Sequence, residues 1–166
     1  MRSGHILKAI LLAFGLGLLA SAATAQGANI EFAGLKTDVS QPVQVTADQL
    51  SVNQADGTAV FSGNVVITQG AMKLQAATVT ILYAADRKSV ESLHADGGVT
   101  LASGTDAASA ETADYLPNTG DLTLIGKVIL TQGQAAISGE KLVLSLTSGL
   151  GTMSGRVTTV FTPGGN

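Results

Sequence analysis

The chain has 166 residues, a formal charge of −3, no Cys, two His and only 4% aromatic residues. The missing Cys excludes a disulfide framework and a lipid-attachment thiol. The acidic balance argues against nucleic acid, which is met by a basic face, and the scarcity of aromatics leaves little to stack against bases or sugars.

Arg2 and Lys8 lead into an apolar run, Ala9 to Ala20, closed by small residues ending Ala23-Thr24-Ala25. This order predicts a secretory signal cut after Ala25. The run falls short of the roughly 20 apolar residues that span a bilayer, so a soluble exported protein is expected. The cut leaves 141 residues, seven Lys and Arg and a formal charge of −5. The resulting division is a signal peptide over 1–25, a lead-in over 26–41 and one domain over 42–163. Within the lead-in, Ile30-Glu31-Phe32 reads as a short strand.

From Val43 the chain alternates apolar and polar residues, with a one-residue shift between Ala47 and Leu50 that a bulge or corner supplies. Asp56-Gly57 then marks a tight turn. Gly63-Asn64-Val65-Val66-Ile67-Thr68-Gln69-Gly70 returns in large part as Gly126-Lys127-Val128-Ile129-Leu130-Thr131-Gln132-Gly133. Looser copies start at Gly97-Gly98-Val99 and Gly155-Arg156-Val157, giving spacings of 34, 29 and 29 residues. A second marker, small residue then strand, begins at Ala47, Ala76, Ala110 and Gly139, with spacings of 29, 34 and 29. Two markers on one period establish an internal repeat. The five extra residues of the longer interval fall in Ala84-Ala85-Asp86-Arg87-Lys88, which reads as a loop.

Period-two alternation, β-branched residues and frequent turn signals predict an all-β protein. Stacking the copies about 4.8 Å apart gives layers of Phe61, Ala95, Leu124 and Met153, of Val65, Val99, Val128 and Val157, and of Ile67, Leu101, Leu130 and Thr159. Leu50, Val52, Val79, Ile81, Tyr115, Leu142 and Leu144 would face them. A filled core accounts for this lining, as in other repeat proteins. The abundance of Ala and Gly, above all from Ala102 to Ala113, points the other way, to an underfilled trough suited to long thin ligands.

Pro42-Val43-Gln44-Val45-Thr46-Ala47-Asp48-Gln49-Leu50, then Ala59-Val60-Phe61-Ser62-Gly63-Asn64-Val65 and the Thr68-Gln69-Gly70 turn, resemble the start of the OstA-like domain of the LptA family of lipopolysaccharide transport proteins. Arg156 to Pro163 is similar to the last strand of that family, so the resemblance covers residues 42–163. It implies a twisted β-jellyroll of two antiparallel sheets forming an open V-shaped groove that shields lipid A acyl chains. It also implies a periplasmic bridge joining inner-membrane LptC-like and outer-membrane LptD-like proteins, with head-to-tail self-association. The lining residues would be Leu50, Val52, Phe61, Val65, Ile67, Val79, Ile81, Val99, Leu124, Val128, Leu130, Leu142 and Leu144. The pairing edges would be Val43 and Val45 at one end and Val157, Thr159 and Phe161 at the other.

Catalysis is not expected. Ser92, His94 and Asp96 share one strand face roughly 7 Å apart, beyond the reach a nucleophile and its base require. With His94 the one His after the signal and no Cys, no transition-metal ligand set or cofactor site is expected. Asp48, Glu111 and Glu140 recur at equivalent places without the ligand ladder that Ca²⁺ needs, and read as solvated strand ends. Lys36, Lys73, Lys127, Lys141 and Arg156 are the cations available for lipid phosphate, and scattered surface charge accounts for them equally. Two readings stand beside the lipid carrier: a structural or adhesion β-solenoid without ligand, and a carbohydrate-active solenoid, which lacks paired acids.

Overall fold

The computed structural model describes residues 28–31 and 33–161. The signal sequence, Phe32 and Pro163 lie outside the described residues. In order the elements are β1 (Ala28–Glu31), a 3-10 helix (Ala33–Leu35), β2 (Gln44–Thr46), β3 (Gln49–Asn53), β4 (Thr58–Gln69), β5 (Met72–Tyr83), β6 (Val90–Asp96) and β7 (Val99–Ser103). They continue as β8 (Asp106–Ala110), β9 (Thr112–Leu116), β10 (Asp121–Gln132), β11 (Ala135–Ser145), β12 (Leu150–Ser154) and β13 (Thr158–Phe161). All pair antiparallel in one 13-stranded sheet.

The repeat dictates how this sheet is bent. At Gly63-Asn64, Gly97-Gly98, Gly126-Lys127 and Gly155-Arg156 both residues adopt positive φ. Two residues of β4 there oppose one of β5, and two of β10 oppose one of β11, which is a β-bulge. Each copy therefore bends at its glycine, and the sheet divides into two wings. One holds β3, the first half of β4, the second half of β5, β6, β9, the first half of β10, the second half of β11, β12 and β1. The other holds β2, the remaining halves of the long strands, β7, β8 and β13.

The two sequence markers meet at these bends. A Cβ on Gly63 would lie 2.6 Å from the Asp48 carboxylate, on Gly97 2.5 Å from Cβ of Ala77, on Gly126 2.4 Å from the Glu111 carboxylate and on Gly155 2.5 Å from Cβ of Glu140. The residue after each glycine answers the acid: Asn64 Nδ2 donates to Asp48 at 2.8 Å, Lys127 Nζ lies 2.7 Å from Glu111, and Arg156 lies 3.7 Å from Glu140. Where the acid is replaced by Ala77, the partner is Gly98. Asp48, Glu111 and Glu140 are exposed, as expected, and each also engages the residue after its glycine along the bend. The Glu111 hydrogen bond, reinforced by its charge, holds the Lys127 ammonium above its ordinary pKa.

Register corrects the stacking. Phe61 pairs with Val79, Val79 with Ala95, Ala95 with Ala113, Ala113 with Leu124, Leu124 with Leu142 and Leu142 with Met153. Phe61, Ala95, Leu124 and Met153 do share a layer, but a returning strand stands between each pair. Equivalent positions are therefore about 9.6 Å apart, two strand spacings. Val79 and Leu142 belong to that same layer instead of an opposite wall. Likewise Ile67, Leu74, Leu101, Ala108, Leu130, Ile137 and Thr159 form one ladder in the other wing.

The lead-in joins the sheet away from its neighbours in sequence. Its strand β1 pairs with β12, at the far end of the stack from β2 and β3. From there the chain returns between the wings, and the 3-10 helix packs over β7 and β8. Inward-facing Ala108 and Ala110, on strands that looked underfilled, leave the space that the lead-in takes.

Candidate functional site

The inner faces of the two wings form one apolar body. Val65, Ile67, Val79, Ile81, Val99, Leu124, Val128, Leu130, Leu142 and Leu144 are all buried within it. Phe61 is half-buried against the same cluster. Leu50 and Val52 are 57% and 60% exposed. They pair with Phe61 and Ala59, so they share the inward face, but β3 is the last strand of its wing and nothing covers them. They form an apolar rim.

Beside that rim the wings part into a cleft of about 330 Å³ lined by Val43, Val45, Phe61, Ile81, Tyr83, Val90, Leu93 and Pro117. Its size falls within the range of small-molecule sites. Deeper in, the space closes to a cavity of about 10 Å³ between Ile67, Met72, Leu74, Leu93, Ala95, Ala113, Tyr115 and Leu122. The underfilled trough is therefore confined to one end, and the middle is packed.

What packs it is partly the lead-in, held by a buried polar latch at the margins of the wings away from the bends. Gln69, the last residue of β4, donates through Nε2 to the carbonyls of Val39 (2.9 Å) and Gln41 (3.0 Å), and its Oε1 accepts from the Tyr115 hydroxyl of the other wing at 2.9 Å. Thr37 spans both margins: its N–H donates to Leu146 O at 3.0 Å and its hydroxyl to Gln69 O at 3.2 Å. In the repeat-equivalent place, Gln132 donates to Asp106. Sequence reasoning quoted Gln69 inside the repeated motif without assigning it a role. The signal was there, since Gln69 shares its parity with Val65 and Ile67, and an amide on an inward position needs a buried partner.

Burial raises the pKa of Tyr115 above its ordinary 10.0, opposed by the bond to Gln69. The folded chain thus keeps its phenol proton where the unfolded chain has lost it. This contribution to stability is complete below pH 10.0 and disappears as pH rises through the raised value. Tyr115→Phe leaves Oε1 of Gln69 without this donor and should lower stability by about 1–3 kcal/mol, read as a shift of the urea midpoint.

The expected edges are met in part. Val45 lies in β2 and is half-buried, whereas Val43 precedes that strand and is exposed. Thr159 and Phe161 lie exposed on β13, which pairs with β11. Val157 precedes β13, so it belongs neither to the final strand nor to the buried layer of Val65, Val99 and Val128. In the other wing β1 covers β12.

His94 points outward with its Nδ1 2.6 Å from Asp114, while Leu93 and Ala95 are buried. No cluster of three or more potential metal ligands occurs among the described residues. Nor is any helix among them long and apolar enough to cross a membrane.

Known proteins agree with this architecture. The chain is 34% identical over 164 residues to an uncharacterised protein of Rhizobium meliloti, covering 91% of this chain and 88% of that one. It is 39% identical over 66 residues to the lipopolysaccharide export system protein LptH of Pseudomonas aeruginosa, covering 40% of this chain and 37% of LptH. To the lipopolysaccharide export system protein LptA of Haemophilus influenzae it is 38% identical over 53 residues, covering 32% and 31%. The crystal structure of LptH, the LptA-homologous periplasmic component of the lipopolysaccharide transport device of Pseudomonas aeruginosa, superposes with a TM-score of 0.68 at 25% identity, covering 76% of this chain and 99% of that one. Residues 44–150 match the family described as LptA/(LptD N-terminal domain) LPS transport protein, and the chain belongs to that family.

Proposed function

We propose that this protein carries lipopolysaccharide across the periplasm, shielding lipid A acyl chains between its wings and bridging LptC-like and LptD-like partners through its sheet ends. The observation that carries this reading is the uninterrupted inward apolar face, which begins at exposed Leu50 and Val52, passes the cleft at Phe61 and continues into the interior. An acyl chain laid on that face leaves water, and ten methylenes so sheltered are worth about 8 kcal/mol. The partners would add strands at the exposed β2 and β3 edges and at β13, since unpaired backbone groups on an edge accept another strand. Contact of one end with the other is heterologous and open, so it supports rods and mixed chains of related domains.

Parity provides the test. A photo-crosslinking residue at Leu50 or Val52 should capture lipopolysaccharide, whereas one at Ser51, which pairs with Val60 on the outer face, should not. Equal labelling at Leu50 and Ser51 would remove the assignment of the inner face as the lipid path.

A further inference from the structure

We propose that residues 33–41 are a displaceable strap that keeps the interior closed until lipid enters, and that its release loosens β1 from β12. The inference rests on the carrier reading of the groove and adds a gate to it.

Leu35 is fully buried in the common core although it belongs to no copy of the repeat. Beside it, a Cβ on Gly34 would lie 2.3 Å from the Asp106 carboxylate, so the backbone of the 3-10 helix lies directly on the inner surface of β8. An interior occupied by the chain's own Leu35 is apolar and complementary to an aliphatic group, and an acyl chain is the same kind of occupant. The two compete for one place.

The strap is held unlike the strands. Its ties come from the Thr37 hydroxyl and the Gln69 amide, with one backbone bond from Thr37 to Leu146, and they bridge the wings at the place where the wings must part. Loss of these few bonds frees the segment without breaking a ladder of the repeats, as local opening requires. At its start, a single residue separates the 3-10 helix from β1, whose four residues pair with β12. Withdrawal of the helix therefore pulls on a short strand, and the pairing at Leu150–Met153 is the first to feel it.

A gate of this kind reduces apparent affinity by the fraction of molecules that are open. Closing it covalently is practical because the natural chain has no Cys. A side chain built on Gly70 starts 3.2 Å from Oγ1 of Thr37, which suits a disulfide in the double variant Thr37→Cys, Gly70→Cys. Fluorescent myristate is the probe, titrated into the same protein oxidised and reduced. The oxidised form should bind at least about tenfold more weakly than the reduced form, and Leu35→Ala should bind tighter than the natural chain. Should this pair prevent folding, Thr37→Val makes the opposite comparison: it removes the hydroxyl tie to Gln69 while keeping a β-branched side chain, and it should bind myristate more tightly than the natural chain, whereas equal binding overturns the strap.

Equal binding by oxidised and reduced protein overturns the strap while leaving the carrier reading intact. No binding by any form, Leu35→Ala included, overturns the carrier reading itself. Hydrogen exchange reads the coupling: bound myristate should speed exchange at residues 150–153 while leaving the β10–β11 ladder protected. Unchanged exchange at 150–153 with lipid bound overturns the link to β1.

Discussion

Val128→Asp is expected to lower the urea midpoint steeply, whereas Ile129→Asp, one residue along the same strand, should leave it nearly unchanged. Val128 is fully buried just after the bend in β10, with Gly139 opposite, while Ile129 is 49% exposed on the outer face. A carboxylate at the first position would enter the interior without a cation, at a cost of about 3–5 kcal/mol. Stability of a domain this size is about 5–15 kcal/mol in total, so this loss is a large share of it. At the second position the new charge meets water, and the change should stay within about 0.5 kcal/mol. Far-UV circular dichroism along a urea series distinguishes them, and a natural midpoint for Val128→Asp would reverse the assigned faces.

Gly97→Ala should be strongly destabilising, and Ala77→Gly should rescue it. Gly97 has φ of 83°, and its new methyl would sit 2.5 Å from Cβ of Ala77. The left-handed backbone costs a non-glycine residue about 1–2 kcal/mol, and forcing a methyl into filled space adds about 1–3 kcal/mol. Gly98→Ala provides the control, because Gly98 has φ of 88° but nothing within 4 Å of the added carbon. The double variant Gly97→Ala, Ala77→Gly should recover the packing part of the loss. Additivity of the two single effects in a thermal-melt cycle would show that these residues do not touch in solution.

Much of this architecture was legible in the residues because the repeat carries it. The Gly-x-Val copies gave the repeat, though not that its glycines are the bends, the parity of Val65, Ile67, Val128 and Leu130 gave the inner face, and Ala84 to Lys88 was read correctly as the loop between β5 and β6. The stacking failed for a reason within antiparallel pairing. Each copy contains a strand and its return, and period two cannot say whether Val79 faces Phe61 across a gap or lies beside it in one layer. Parity put Leu50 and Val52 on the inner face but not in the open, because it reports the side of a sheet and not whether anything covers that side. The lead-in was opaque for another reason: a segment outside the repeat leaves no periodic trace, and its partners, Gln69, Asp106, Leu146 and β12, lie far along the chain.

The two-strand unit has a further meaning for how such molecules change in size. Because every copy enters and leaves the stack as a complete hairpin, splicing in one more would lengthen the protein by about 9.6 Å while preserving its cross-section and both terminal edges. Internal duplication and end-to-end addition are then the same geometric operation, performed once within a gene product and once between products. The distance spanned is counted in hairpins, and it is indifferent to whether a peptide bond joins them.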